Sequence, residues 1–180
     1  KISNFEVANH IEFKRDVKTK PKLFRKQSTY RIGSIGAIGK EKGSDRLQDL
    51  ANLSKNSRQK KIDFEFVLVG YANKPLKNIL TTGEYEEKFL KQLISDNNLD
   101  VLLFTANWPE TYSYTLSYAI ESGLPIVAPD IGCFPERLKD RSNSLLFDFN
   151  KNPESLLHDI KLFILELEKN TSFTNINHEI

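Results

Sequence analysis

The chain has 180 residues, of which 39% are hydrophobic and 28% charged, and a formal net charge of +2. This composition is typical of one globular domain and excludes a disordered chain and a strongly basic nucleic-acid-binding protein. No apolar run approaches the roughly 20 residues of a membrane helix. The polar start is not a secretory signal, and its lack of methionine suggests a piece of a longer chain. The one cysteine, Cys133, excludes an internal disulfide and favours a reducing, cytoplasmic compartment.

Residues 1–29 are polar and are predicted to form a basic lead-in or interdomain linker. Between positions 14 and 31, eight Lys or Arg side chains accompany one acidic residue, Asp16. Such a basic run is more often a solvated linker than a binding site. The alternative is peripheral contact with anionic lipid at the inner face of the cytoplasmic membrane.

The next segment alternates between strand and helix patterns. Residues 31–36 predict a short strand, which leads into the glycine-rich loop GAIGKEKG at 36–43. Ser44 is a favourable N-cap, and leucines at helical spacing follow it. A nearly continuous apolar run at 61–70 predicts a strand covered on both faces. Residues 71–78 are polar and predict a loop.

The same alternation continues along the rest of the chain. Tyr85, Phe89 and Leu93 recur at helical spacing up to an Asp-Asn-Asn stop at 96–98. The elements predicted after it are strand 100–106, helix 113–122, strand 124–129, helix 134–139, strand 144–149, a helix from Pro153 and a tail at 171–180.

Strands that alternate with helices over residues 30–170 predict an α/β domain, with a Rossmann-like parallel sheet and helices on both faces. Ligands bind such sheets outside the carboxyl ends of the strands. We therefore expect four loops, at 36–43, 70–84, 106–113 and 129–135, to share one rim.

The loop at 36–43 is a candidate phosphate site, because free amides ahead of a helix and the side chain of Lys42 suit an anion. Its glycines, Gly36, Gly39 and Gly43, have neither the spacing of the dinucleotide fingerprint nor that of the P-loop. The alternative is a flexible turn with a solvent-exposed lysine.

A second candidate lies ahead of the predicted helix 113–122. Glu110 either binds the hydroxyls of a sugar or caps the helix amides. Tyr112 and Tyr114 either stack on a ligand ring or belong to the core. The amides around Gly132 form a candidate anion nest.

Other chemistries find little support in the sequence. The histidines, His10, His158 and His178, show no metal-ligand or triad spacing. No Asp-x-Asp pair stands at a strand end to hold Mg²⁺, and Cys133 has no base near it in sequence. We therefore interpret Cys133 as a small filler side chain and predict no metal and no other cofactor.

Three segments together resemble the C-terminal, donor-binding domain of retaining GT-B glycosyltransferases, glycosyltransferase family 4. That family's signature is Pro-Glu, seven residues, a second glutamate, a small-residue helix, Gly-x-Pro-Val and a later Gly-x-x-Pro-Glu. It stands here as PETYSYTLSYAIESGLPIVAPDIGCFPE. The family's loop G-[RK]-x-x-x-x-K-G stands as GAIGKEKG, and its glycine-centred turn as TTGEY at 81–85. The resemblance covers roughly residues 30 to 150.

This resemblance implies one half of a GT-B fold, with a nucleotide-sugar donor in the cleft between the two halves. It implies that Lys42 neutralises the diphosphate and that Glu110 lies by the transferred sugar, so these two are the candidate catalytic residues. Backbone amides of residues 112–114 would hold the phosphates, and the base of the nucleotide would lie against residues 82–84. The other implied donor-binding residues are Gly36, Ala37, Gly39, Thr82, Gly83, Glu84, Tyr112, Ser113, Tyr114 and Tyr118.

Two positions depart from the family's pattern. Ala37 replaces the loop's arginine, and Tyr118 replaces the second glutamate. A phenol cannot clamp the ribose diol as a carboxylate does. Glu121, a turn deeper on the same helix, is no ready substitute.

The function that the resemblance implies is transfer of a sugar from a nucleotide sugar to a glycan or lipid-linked acceptor with retention, in bacterial surface polysaccharide biosynthesis. The acceptor would bind mainly to an N-terminal domain absent from this sequence, so we expect the chain to be inactive alone. A non-catalytic or degenerate nucleotide-sugar-binding module is one alternative, and the two departures keep it open. A sugar-nucleotide epimerase on the same fold is another, although no histidine lies near the rim.

Overall fold

In the computed structural model, residue 24 and residues 26–56 and 62–176 are described, with side chains described as far as residue 170. Most of the predicted linker lies outside these residues. The strands are β1 Thr29–Ile38, β2 Asp63–Ala72, β3 Ile79–Thr81, β4 Val101–Leu103, β5 Ile126–Pro129 and β6 Ser144–Phe147. The helices are α1 Ser44–Asn56, α2 Leu90–Asp96, α3 Tyr114–Glu121, α4 Phe134–Leu138 and α5 Pro153–Ile176. A 3₁₀ turn, Glu87–Phe89, directly precedes α2.

The strands form one parallel sheet in the order β3-β2-β1-β4-β5-β6. β1 and β2 pair along their whole length, from Thr29 opposite Asp63 to Ile38 opposite Ala72. The chain builds outward from β1 to β3 and then crosses back to β4, so the order reverses between β1 and β4. The predicted Rossmann-like α/β fold is confirmed.

Helices cover both faces of this sheet. Successive β2 residues alternate between the two cores, with Leu68 in one and Val67 and Val69 in the other. Helices α1 and α5 close the first core, and α2, α3 and α4 close the second. Burial on both faces explains why the β2 sequence is a continuous apolar run rather than an alternating one.

The ends of several elements differ from the sequence prediction. β1 runs two residues past its predicted end, because β2 supplies backbone partners as far as Ile38, so Gly36 and Ala37 are strand residues. The sequence does not predict β3, an edge strand of three residues that is too short to show a periodic pattern. The predicted helix start at Tyr85 is wrong, since residues 82–86 are irregular.

Two further differences lie near other strand and helix ends. The ladder of β4 spans only three residues, shorter than the predicted strand 100–106. α5 continues to Ile176, through much of the predicted tail at 171–180.

Candidate functional site

The predicted site lies at the carboxyl ends of the strands, where the order of the sheet reverses. The loop 39–43 leaves β1 and the loop 104–113 leaves β4, and both border one narrow crevice. Lys42 and Glu110 line this crevice, together with Thr105 and Thr115. It encloses about 20 Å³, which is space for a water molecule but not for a sugar nucleotide. A larger ligand would therefore lie across its mouth, which both candidate catalytic residues border.

Hydrogen bonds fix the two loops to each other. The Thr105 hydroxyl donates to the Lys42 carbonyl over 3.0 Å, and the Asn107 amide donates to the Glu41 carbonyl over 2.8 Å. Gly43 has φ +77°, and a Cβ there would lie 1.8 Å from the Thr105 carbonyl oxygen. Only glycine allows this approach, which brings the loop that carries Lys42 into close contact with the loop after β4.

The loop also continues directly into a helix. The Ser44 amide donates to the Gly39 carbonyl over 3.1 Å, which closes the turn at the start of α1. Lys42 itself is exposed. Its backbone is therefore fixed while its ammonium group stays accessible to an anion.

Glu110 is half-buried, and its carboxylate makes no hydrogen bond or ion pair within the part of the chain that the structure describes. The N-cap of α3 is Ser113, and no side chain makes a capping hydrogen bond there. The alternative in which Glu110 caps the helix is therefore wrong. The carboxylate keeps its full capacity to accept hydrogen bonds from a ligand.

The turn before α4 holds the backbone of Glu110. The Cys133 amide donates to the Glu110 carbonyl over 2.9 Å. Gly132 has φ +58°, and a Cβ there would lie 2.6 Å from the same carbonyl oxygen. The backbone amide of Cys133, next to Gly132, thus donates to Glu110 instead of contributing to the expected anion nest.

Cys133 is buried, and this burial raises the pKa of its thiol. A protonated, inaccessible thiol is a poor nucleophile. The interpretation of Cys133 as a small filler side chain is confirmed.

Arg137 of α4 is a further residue of this region, and it is not predicted from the sequence. Its guanidinium donates to the Ser113 carbonyl over 2.8 Å and to the Ser117 hydroxyl over 2.7 Å. The same group lies 4.4 Å from the ring centroid of Tyr112. Arg137 therefore supports the loop between Glu110 and α3 from behind. No spacing in the sequence signals a contact between residues 20 or more positions apart.

The two tyrosines of this loop are exposed rather than part of the core. Tyr112 is 42% and Tyr114 48% exposed, and their rings meet edge to face at 5.1 Å. Ser113 between them is buried, and its hydroxyl lies 3.2 Å from that of Thr115. The core alternative for the tyrosines is wrong, and both rings line the accessible side of the loop.

The predicted base-binding residues lie beside β1 and β2. The Gly70 amide donates to the Thr82 hydroxyl over 2.9 Å, and the Gly83 amide donates to the Gly70 carbonyl over 2.9 Å. A Cβ on Gly70 would lie 2.2 Å from the Gly36 carbonyl oxygen. Glycines at these positions therefore bring the loop 82–84 close to the end of β1.

A cavity of about 600 Å³ opens next to that loop. Its lining residues are Thr82, Glu84, Tyr85, Glu86, Phe89, Gln92 and Leu93. Phe89 is 50% exposed, which leaves an aromatic ring available to a ligand. The volume and the aromatic lining are typical of a small-molecule site.

Tyr118, at the position of the missing glutamate, lies on α3 and faces the 3₁₀ turn. Its hydroxyl donates to Oε1 of Glu87 over 2.9 Å. Ala37, at the position of the missing arginine, is exposed and pairs with Tyr71 in the sheet. The structure thus places the carboxylate of Glu87 beside Tyr118, while the Ala37 side chain itself supplies no cation.

Among the described residues, no three His, Cys, Asp or Glu side chains lie together as a metal site would require. No helix in the same part of the chain combines the length and the apolar character of a membrane span.

The family profile described as glycosyl transferases group 1 matches residues 16–179. No curated protein sequence matches the chain significantly. Among solved structures, the C-terminal domain of the group 1 glycosyl transferase LpcC from Francisella tularensis has a TM-score of 0.58 and 20% identity, covering 77% of this chain and 78% of that one.

Two longer proteins share the same fold. The lipopolysaccharide outer core galactosyltransferase WaaB has a TM-score of 0.61 and 15% identity, covering 82% of this chain and 43% of that one. HepE of Anabaena, crystallised with UDP-glucose, has a TM-score of 0.55 and 14% identity, covering 83% and 49%. The chain therefore spans less than half the length of either protein.

Proposed function

The chain belongs to the glycosyl transferases group 1 family, and we propose that it is the nucleotide-sugar-binding domain of a retaining glycosyltransferase. The enzyme transfers a sugar to a glycan or lipid-linked acceptor in the cytoplasm, during bacterial surface polysaccharide biosynthesis. The activity that WaaB's name states and the UDP-glucose bound to HepE support this choice of reaction and donor.

One observation carries the proposal, namely that Lys42 and Glu110 line the same crevice at the point where the sheet order reverses. Lys42 neutralises the diphosphate, and Glu110 accepts hydrogen bonds from hydroxyls of the sugar. The amides at the start of α3 add partial positive charge for the phosphates.

In the proposed reaction, the acceptor hydroxyl attacks the anomeric carbon from the side that the diphosphate leaves. The bond between this carbon and the diphosphate breaks, the new glycosidic bond forms, and the acceptor proton passes to a phosphate oxygen of the leaving group. Lys42 stabilises the charge that develops on the diphosphate, so this step requires neither a metal nor another cofactor.

The acceptor site belongs to a further domain, which agrees with the partial coverage of WaaB and HepE. Peripheral membrane contact through the basic segment 14–31 stays a prediction, because most of that segment lies outside the described residues. A non-catalytic nucleotide-sugar-binding module is the second candidate, and the specific observation that favours it is Ala37, which supplies no cation.

Replacement of Lys42 by alanine tests the phosphate site. We expect Lys42→Ala to weaken the binding of UDP-glucose and UDP by about 1–3 kcal/mol, the size of a lost charged hydrogen bond. The measurement is isothermal titration calorimetry, with circular dichroism to show that the fold is retained.

Lys139→Ala is the matched control, because this exposed lysine lies between α4 and β6. The segment leads to the amino end of β6, whereas the crevice lies at the carboxyl ends of the strands. The substitution removes the same charge and should leave both dissociation constants unchanged. Equal affinities for wild type and Lys42→Ala would remove Lys42 from the site.

A further inference from the structure

The 3₁₀ turn presents a carboxylate at the position where the family's second glutamate is missing. Oε1 of Glu87 accepts the hydrogen bond from the Tyr118 hydroxyl. Glu87 is exposed, and Oε2 has no partner among the described residues. One oxygen therefore fixes the carboxylate while the other can accept a hydrogen bond from a ligand.

This carboxylate has neighbours near both parts of the candidate site. Thr115 lines the crevice of Lys42 and Glu110. Tyr118, three residues later on α3, lies on the same helix face, ~5–6 Å further along. On the other side, Glu86, which precedes Glu87, and Phe89, two residues after it, line the 600 Å³ cavity. A ligand that spans cavity and crevice would therefore pass near Glu87.

The competing carboxylate on α3 is less accessible than Glu87. Glu121 pairs with the Lys91 ammonium over 2.8 Å, and its side chain is only 25% exposed. Lys91 also lies 6.0 Å from the ring centroid of Tyr118. Glu121 is thereby held on the α2 side, which leaves Glu87 as the accessible carboxylate beside Tyr118.

We propose that Glu87, positioned by Tyr118, binds the vicinal diol of the ribose of a ribonucleoside diphosphate. This inference rests on the proposed function, because it assumes that the base occupies the 600 Å³ cavity and the diphosphate lies at Lys42. Glu87 reaches the diol from the 3₁₀ turn, whereas the family's glutamate would reach it from α3.

The protonation of Tyr118 suits this arrangement. Burial of the phenol and its hydrogen bond to Glu87 raise the pKa of Tyr118 to about 12. At neutral pH the phenol is therefore protonated and acts as the donor.

The test compares ribonucleotides with their deoxy analogues. Calorimetry with UDP, ADP, GDP and CDP first identifies the nucleotide that the wild-type chain binds most tightly. The 2′-deoxy and 3′-deoxy forms of that nucleotide are then titrated into the wild type, Glu87→Gln, Tyr118→Phe and Glu154→Gln. Glu154 is the control, because it is an exposed carboxylate in the first turn of α5 and lines neither the cavity nor the crevice.

We expect the wild type to prefer the ribonucleotide, and Glu87→Gln to lose about tenfold in its affinity for the ribonucleotide, as for a lost hydrogen bond to a charged group. The same variant should bind the deoxy forms almost as the wild type does. Tyr118→Phe should lose part of the preference, since Glu87 is then less well fixed, and Glu154→Gln should keep it.

A Glu87→Gln variant that binds nucleotide and retains the full wild-type preference would overturn the inference while leaving the proposed function intact. A wild-type chain that binds none of the four nucleotides would overturn the proposed function itself, and the inference with it.

Discussion

At the scale of single residues, Glu110 is the side chain whose surroundings most strongly indicate a ligand. A half-buried carboxylate loses part of its hydration, and this loss is normally offset by protein hydrogen bonds. Glu110 has none among the described residues, although Cys133 and Gly132 hold its backbone closely. The site is therefore arranged around the carboxylate without using it for stability.

Replacement of Glu110 by glutamine should accordingly separate binding from folding. Loss of a helix cap would cost about 0.5–2 kcal/mol, but Glu110 caps nothing, so Glu110→Gln should melt close to the wild-type temperature. The variant should lose most of the extra affinity that UDP-glucose has over UDP. Thermal unfolding and calorimetry measure the two effects.

Glu136→Gln is the control, since Glu136 also follows a proline but lies exposed in the first turn of α4. It should leave the preference for UDP-glucose over UDP intact. If Glu110→Gln is destabilised yet binds UDP-glucose as the wild type does, Glu110 belongs to the scaffold.

The sequence could indicate Lys42 and Glu110, because both stand in motifs with fixed local spacing. It could not indicate Arg137 or Glu87, because the partners of Arg137 lie on the loop before α3 and on α3 itself, and the partner of Glu87 lies on α3. Such pairs become visible only when the packing of the helices is known. The same holds for Tyr112 and Tyr114, whose exposure no local pattern determines.

At the scale of elements, the close approach of the β1–α1 loop to the β4 loop depends on Gly43. Gly43→Ala places a Cβ against the Thr105 carbonyl in addition to the strain of a positive φ. The strain amounts to about 1–2 kcal/mol, and overpacking adds about 1–3 kcal/mol. Urea unfolding should show this combined loss.

Gly83→Ala isolates the backbone contribution, because Gly83 has φ +90° but no atom within 4 Å of an added Cβ. It should therefore be clearly less destabilised than Gly43→Ala. Equal losses in the two variants would mean that the contact between the two loops is not tight in solution.

The element prediction succeeded where burial determines the pattern. β2 is covered on both faces and is apolar throughout, so its sequence identifies it. β3 has one hydrogen-bonded neighbour and three residues, and its pairing with Phe66–Leu68 of β2, not its composition, makes it a strand. The end of β1 likewise depends on its partner strand.

At the scale of the whole molecule, the candidate site comprises three regions near the carboxyl ends of the strands. The segment after β3 lines the 600 Å³ cavity, Glu87 and Tyr118 join the 3₁₀ turn to α3, and the loops after β1 and β4 border the crevice of Lys42 and Glu110. In our proposal this arrangement accommodates the base, the ribose, and the diphosphate with its sugar. The parallel sheet produces it by placing the carboxyl ends of all its strands at one edge.

The most direct test of this account is a titration of the isotope-labelled chain with UDP-glucose, GDP-mannose and ADP-glucose, followed by the chemical shifts of its backbone amides. We predict saturable binding of at least one of the three, with the largest shifts at 39–43, 82–87 and 110–115. Two results would contradict the assignment of a nucleotide-sugar site to this rim. One is absence of binding by all three, and the other is shifts confined to residues 97–100 and 139–143, which lead to the amino ends of β4 and β6.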